Sequence, residues 1–150
     1  RITYDNWVST STITKNLDFL NAQEFRQVVQ ERAPGRINQI GNTSTDWSEQ
    51  LYRTAIGHNH ALSFSGGSEN MGLRASLGYQ NQEGVLKNSN TERTSFAMNY
   101  NHRLLNDQLN IDANFKGAYT QDDYAPNGVI GSASRMDPTQ PIFDANNARW

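Results

Sequence analysis

His58 and His60 stand two residues apart, so on an extended strand both imidazoles project from one face, a spacing that could begin a metal site. No third ligand follows nearby, and ordinary histidines at the edge of a strand are the plainer expectation. His102 stands alone near a turn. Ser, His and Asp all occur, yet there is no Gly-x-Ser-x-Gly elbow, so hydrolase chemistry has no anchor. Asp122 and Asp123, with Asp137 and Asp144, could hold calcium or flank a glycosidic bond. The spacing of an EF-hand is missing, and solvated loop acids are expected instead. Neither a GxGxxG nor a Walker sequence is present. Trp7, Trp47 and Tyr124 could stack on sugar rings; Trp47 and Tyr124 are the candidates for substrate contact, although Trp47 suits the apolar face of a helix better. The expectation is a protein that is not an enzyme, with no catalytic residue, cofactor or metal.

Composition narrows the rest. The 150 residues are 35% hydrophobic and 10% aromatic, and 13 basic against 15 acidic residues give a net charge of -2. The basic residues are scattered and the pI is near 5.9, so nucleic acid and anionic membrane surfaces are not expected partners. Without cysteine there is no disulfide framework, thiolate metal site or Cys nucleophile. No run approaches the roughly 18 consecutive apolar residues of a membrane helix. A mean hydropathy of -0.78 would read as soluble on a helix scale, but that scale is blind to barrels, whose strands are apolar on one side only. The chain starts Arg1-Ile2-Thr3-Tyr4 with neither a charged n-region nor an apolar h-region, and both ends read as boundaries inside a longer sequence.

A first strand is expected near 2–10, where Ile2, Tyr4 and Val8 share one side. Residues 11–57 form a long loop with helices. Asn21, with Glu24 three positions on and Leu20 paired with Phe25, predicts a capped helix over Ala22 to Arg32, ended by Pro34-Gly35. A second helix is expected over Thr45 to Arg53, with Thr45 as cap and Trp47 and Leu51 on one face. A loop of this size usually carries function.

From His58 the pattern becomes strict alternation, predicting strands near 58–66, 71–82, 93–103 and 109–121. The last three runs extend over about 10 to 12 residues, against roughly 5 to 6 for an ordinary strand and about 9 to 11 for a tilted membrane-spanning one. One side carries Leu62, Phe64, Leu73, Leu77, Tyr79, Phe96, Met98, Tyr100, Ile111, Phe115 and Tyr119, and these are expected to face lipid. The other carries Arg74, Ser76, Gln80, Asn99, Asn101, Asp112, Asn114 and Lys116, expected to face a lumen. Across Met71 to Tyr79, Thr94 to Tyr100 and Leu109 to Tyr119, every charge falls on the second side. Short turns, Gly66 to Asn70 and Leu105 to Gln108, lie at one end of the meander, and the longer links at the other, the asymmetry of outer-membrane barrels. A soluble β-sandwich alternates in the same way, so a carbohydrate-binding module is the alternative, and a glycoside hydrolase fragment using the loop acids a distant third.

Several runs carry a family likeness. Thr54-Ala55-Ile56-Gly57-His58-Asn59-His60-Ala61-Leu62-Ser63-Phe64-Ser65-Gly66-Gly67-Ser68-Glu69-Asn70, then Arg74-Ala75-Ser76-Leu77-Gly78-Tyr79, Gln82 to Ser89 and Glu92-Arg93, resemble SusC/RagA-type TonB-linked outer-membrane receptors. Leu17 to Phe25 and Thr45-Asp46-Trp47 resemble that family's first extracellular excursion, and Arg135 to Ile142 its later loop helix running into the next strand. The likeness covers nearly the whole chain. It implies an all-β fold, an antiparallel meander that is the amino-terminal portion of a 22-stranded transmembrane β-barrel, with a plug and a TonB box that are not visible in these residues. It further implies a cell outer membrane location, import of oligosaccharides or peptides energised through TonB, and a SusD-like surface lipoprotein as partner. No substrate contact carries over residue by residue.

Overall fold

The computed structural model describes residues 1–106 and 108–143; Asp107 of the expected turn and Asp144 of the loop acids lie outside them. Among these residues, five strands and two α-helices follow in the order β1 (Ile2–Ser11), α1 (Ala22–Arg32), a 3₁₀ turn (Pro34–Gln39), β2 (Ala55–Gly67), β3 (Met71–Glu83), β4 (Asn90–Leu104), β5 (Leu109–Asp123) and α2 (Val129–Ala133). They fall into two compact units. One holds residues 1–12 and 54–125, and the other residues 13–53 and 126 onward.

The first unit is one antiparallel sheet in the order β1-β2-β3-β4-β5. Each strand hydrogen-bonds its sequence neighbour, a meander in which residues 68–70 suffice to join β2 to β3 while residues 12–54 join β1 to β2. The ladders run from Ile2↔Phe64 to Ser11↔Ala55, Gly57↔Gln82 to Gly67↔Gly72, Met71↔His102 to Glu83↔Asn90, and Asn90↔Asp123 to Leu104↔Leu109. Pairing continues past the alternating stretches. β2 begins at Ala55 where the alternation suggests 58, β4 spans 90–104 where it suggests 93–103, and the first loop runs from 12 to 54 where 11–57 is expected. At these ends the two faces do not alternate, since Ala55-Ile56-Gly57 has no polar residue and Asn90-Thr91-Glu92 no apolar one, so they pair through the backbone without a period-two signature.

Where β2 turns into β3 the backbones meet closely: a Cβ placed on Gly67 would lie 2.2 Å from the Met71 carbonyl oxygen. On the outer strand, by contrast, a Cβ on Gly117 would meet nothing within 4 Å.

No second sheet packs on this one among the described residues. Ala22 and Ala55 are the buried apolar residues there, whereas Leu62, Phe64, Leu77, Phe115 and Tyr119 are exposed. A sandwich core would have enclosed them. No described helix is long and apolar enough to cross a membrane, which says nothing of strands.

In the second unit, α1 is capped as the sequence predicts: the Asn21 side chain accepts from the amides of Gln23 and Glu24, and the Glu24 carboxylate accepts from the Asn21 amide at 2.9 Å. The helix expected over Thr45 to Arg53 is absent; residues 47–51 are turns. Asp46, not Thr45, accepts from the amides there, at Ser48 and Glu49, while the Thr45 hydroxyl donates to the Gln140 carbonyl at 2.6 Å. A cap drawn away by a partner far along the chain does not nucleate a helix.

Gly67→Ala should cost on the order of 1 to 3 kcal/mol by forcing backbone apart, and Gly117→Ala should be close to neutral. Urea midpoints of the two variants in the folded protein check this, and equal midpoints would contradict it.

Candidate functional site

Because the ladders pair residues one to one, they sort the side chains into rows on each face. Tyr4, Leu62, Leu77, Phe96 and Gly117 form one row, and Ile2, Phe64, Ala75, Met98 and Phe115 the next. Leu73 and Tyr100 lie in the row towards the short turns, followed by Met71, His102 and Ile111. In the other direction come His60, Tyr79, Thr94 and Tyr119. All eleven apolar residues singled out in the sequence therefore share one face. Leu77 is 55% and Phe115 59% exposed, and the Phe96 and Phe115 rings sit 5.8 Å apart, centroid to centroid. From Met71 to Tyr79 this band runs roughly 26 Å along the strand at about 3.3 Å per residue.

Tyrosine and histidine mark both ends of the band, a feature that alternation alone did not flag. Towards the long loops, the Tyr4 hydroxyl lies 2.6 Å from Nδ1 of His60 and the two rings stack. Towards the short turns, the Tyr100 hydroxyl lies 2.9 Å from Nδ1 of His102. His58 and His60 rings are 5.3 Å apart. Among the described residues no group of three His, Cys, Asp or Glu could hold a metal ion. His58 Nδ1 is enclosed without a hydrogen-bond partner among the described residues.

The opposite face gathers the eight polar candidates. Arg74, Asn99 and Asn114 share a row, Ser76 and Lys116 the next, Asn101 pairs with Asp112, and Gln80 pairs with Arg93. Between the charged rows lies a patch the alternation could not distinguish, made of Ala61, Gly78, Ser95 and Ala118 beside Ser63, Ser76 and Ala97. Side chains this small leave the sheet backbone open to close approach.

In the second unit two loop segments far apart in sequence are joined by hydrogen bonds. Thr139, 0% exposed, is their centre. Its hydroxyl accepts from the Gly41 amide at 2.8 Å and donates to Asp137 Oδ1 at 2.7 Å, and its carbonyl accepts from the Thr43 hydroxyl at 2.6 Å. The Thr45 amide donates to the Pro138 carbonyl, and the Trp47 indole to the Asp137 carbonyl at 2.9 Å. Trp47 is thereby half-buried, while Tyr124 is 81% exposed. The Asp137 carboxylate is engaged by Thr139 and that of Asp122 by the Thr91 hydroxyl, so neither is a free loop acid. The Ser48 hydroxyl holds the Asp46 carboxyl below its ordinary value; partial burial opposes this, and the Glu49 and Ser48 amides reinforce it.

Known proteins resemble this chain in sequence and in fold. TonB-dependent receptor SusC of Bacteroides thetaiotaomicron is 33% identical over 147 residues, 95% of this chain. The chain belongs to the SusC/RagA-like TonB-dependent receptors. TonB-dependent receptors P3 and P26 of Formosa agariphila are 30% and 35% identical over 92% and 70% of the chain. The chain spans only 14%, 14% and 10% of these three relatives' lengths. A chain from the structure of the RagAB peptide transporter superposes with a TM-score of 0.68 at 22% identity, covering 81% of this chain and 18% of that one, a likeness of fold alone. The RagAB peptide importer in its open-open state gives 0.65 at the same identity, covering 83% and 18%. No family model matches the chain.

Two outcomes follow for the loop unit. Thr139→Val strands the Gly41 amide and should cost about 1 to 3 kcal/mol; hydrogen exchange should quicken at residues 41–45 and stay unchanged in β3, and unaltered exchange at 41–45 would contradict it. Because the folded Asp46 value is depressed, its contribution is complete above the ordinary carboxylate range and is lost as pH falls through the lowered value. Ser48→Ala should move the Asp46 carboxyl titration upward in NMR, and an unmoved titration would show that the hydroxyl is not the cause.

Proposed function

We propose that these residues form a stretch of barrel wall and the associated extracellular loops of an outer-membrane importer. The apolar band, Leu62 and Phe64 through Tyr119, meets the acyl chains of outer-membrane lipid. Arg74, Ser76, Gln80, Asn99, Asn101, Asp112, Asn114 and Lys116 line the lumen. The observation that carries this reading is the single sheet with a wide apolar face that no second sheet covers among the described residues. A face of that kind is stable where hydrocarbon supplies the other side.

The arrangement of connections supports the same reading. β2 and β3 are joined by residues 68–70, whereas residues 12–54 join β1 to β2 at the opposite end of the sheet. Short periplasmic turns and long outer loops are the habit of these barrels. On the apolar face beyond Tyr79, the residues become Asn81, Glu83, Glu92 and Gln121, which is where the wall would leave the hydrocarbon. β1 and β5 are edge strands, and a barrel of 22 strands would cover both edges.

Family membership extends the proposal to the intact protein: TonB-energised uptake of oligosaccharides or peptides, in company with a SusD-like lipoprotein at the cell surface. Relatives named as receptors or transporters support a role without catalysis. Among the described residues the sheet has no second layer of the kind a sandwich needs, which does not favour the soluble carbohydrate-binding module.

Leu77→Arg and Arg74→Leu distinguish the faces at neighbouring heights on one strand. An arginine at the bilayer midplane costs about 2 to 4 kcal/mol. Leu77→Arg should sharply reduce the heat-modifiable barrel recovered in the outer membrane, while Arg74→Leu should leave it near wild type. Equal behaviour of the two would refute the orientation.

A further inference from the structure

The second unit encloses a concavity of about 630 Å³, built by residues 16–22, the start of α1, residues 44–48 and residues 133–138. Small-molecule sites commonly occupy roughly 300 to 1,000 Å³ and combine an apolar lining with a few polar anchors. Leu17, Phe19, Phe25, Trp47, Met136 and Pro138 supply the apolar lining. Leu17, Phe19 and Met136 are exposed, so the concavity offers uncovered apolar surface.

Most of its polar side chains are already committed to the loop's own fold. Asn16 donates to the Ser48 hydroxyl, which donates in turn to Asp46, and the Thr45 hydroxyl donates to the Gln140 carbonyl. The Asn21 side-chain oxygen caps α1, the Trp47 indole donates to the Asp137 carbonyl, and the Ser134 hydroxyl to that of Gly131. Two charged groups differ. Asp18 and Arg135 both line the concavity, and among the described residues neither side chain is held in a hydrogen bond or ion pair, the Arg135 backbone amide alone donating to the Ser132 carbonyl.

That division selects a class of ligand. A sugar brings several hydroxyls per ring, each costly to bury without a partner, and the partners here are largely taken. A peptide brings an apolar side chain for the lining and two opposite end charges for the free groups, and a guanidinium matches a carboxylate in a two-pronged geometry.

We propose that the concavity binds a short peptide with free ends: an apolar or aromatic side chain enters between Phe19, Trp47 and Met136, the terminal carboxylate meets Arg135, and the terminal ammonium meets Asp18. Resting on the importer reading above, this makes peptides, rather than oligosaccharides, the class of solute that the loop unit takes up.

The test is calorimetry on the intact receptor in detergent, with the tripeptide Ala-Phe-Ala, its acetylated and amidated form, and maltohexaose as probes. The free tripeptide binds; Arg135→Gln and Asp18→Asn each weaken it on the order of tenfold, as loss of a charged hydrogen bond does. Blocking both ends weakens binding to wild type and has no further effect in the double variant, a pattern that general unfolding would not give. Maltohexaose produces no heat. A heat-modifiable, correctly inserted receptor that ignores the tripeptide, as when another stretch of the protein already fills the concavity, overturns the site. So does binding that both variants leave unchanged, or maltohexaose that competes. Failure to recover a heat-modifiable barrel at all would instead overturn the importer reading beneath it.

Discussion

Lateral hydrogen bonding in an antiparallel ladder is the constraint on which the rest of this molecule depends. Each interior strand satisfies its backbone in the plane of the sheet, so the two faces differ only in their side chains. The strict period of two then places Leu62, Leu77 and Phe96 in one row and Ser63, Ser76 and Ala97 in the corresponding row behind. One slip of register would exchange the two sets. An apolar face so constructed demands an apolar neighbour, and the described residues contain no protein layer to provide one. Hydrocarbon is the neighbour that the band's height and its tyrosine-histidine borders suit.

The same constraint explains where irregular structure is found. Loops can grow only where the ladder ends, and they grow at one end. There residues 41–47 and 137–140 hold each other through backbone and threonine hydroxyls, with Thr139 fully enclosed. Polar bonds buried in this way hold a loop in one arrangement, because each stranded partner would be costly. A shaped concavity requires such a frame.

Much of this was legible in the sequence, and the exceptions have physical causes. Met71 to Tyr79 and Leu109 to Tyr119 state their faces outright, and Asn21 with Glu24 states the start of α1. Strand ends such as Ala55 and Asn90 were hidden because Ala55-Ile56-Gly57 and Asn90-Thr91-Glu92 pair through the backbone without alternating apolar and polar residues. The turns at 47–51 read as helix because a Thr, two acids and an Arg have the composition of a capped one; a partner 95 residues downstream takes Thr45 instead. No local pattern announces such a pairing. Nor could spacing show that the Trp47 indole is tied to Asp137, or that Asp18 and Arg135 line one concavity.

The central claim is that the apolar face of the sheet lies against lipid. These 150 residues contain no cysteine, so within them single cysteines can carry nitroxide labels at chosen sites, with any cysteine elsewhere in the intact receptor replaced by serine. Labels at Leu62, Leu77 and Phe115, with controls at Ser63, Ser76 and Lys116, would be read by electron paramagnetic resonance in lipid vesicles holding the intact receptor. Oxygen, which concentrates in hydrocarbon, should relax the first set more strongly than a water-soluble nickel chelate does, and the controls should show the reverse or neither. Equal access on both faces, or chelate-dominated relaxation at Leu77, would contradict the account.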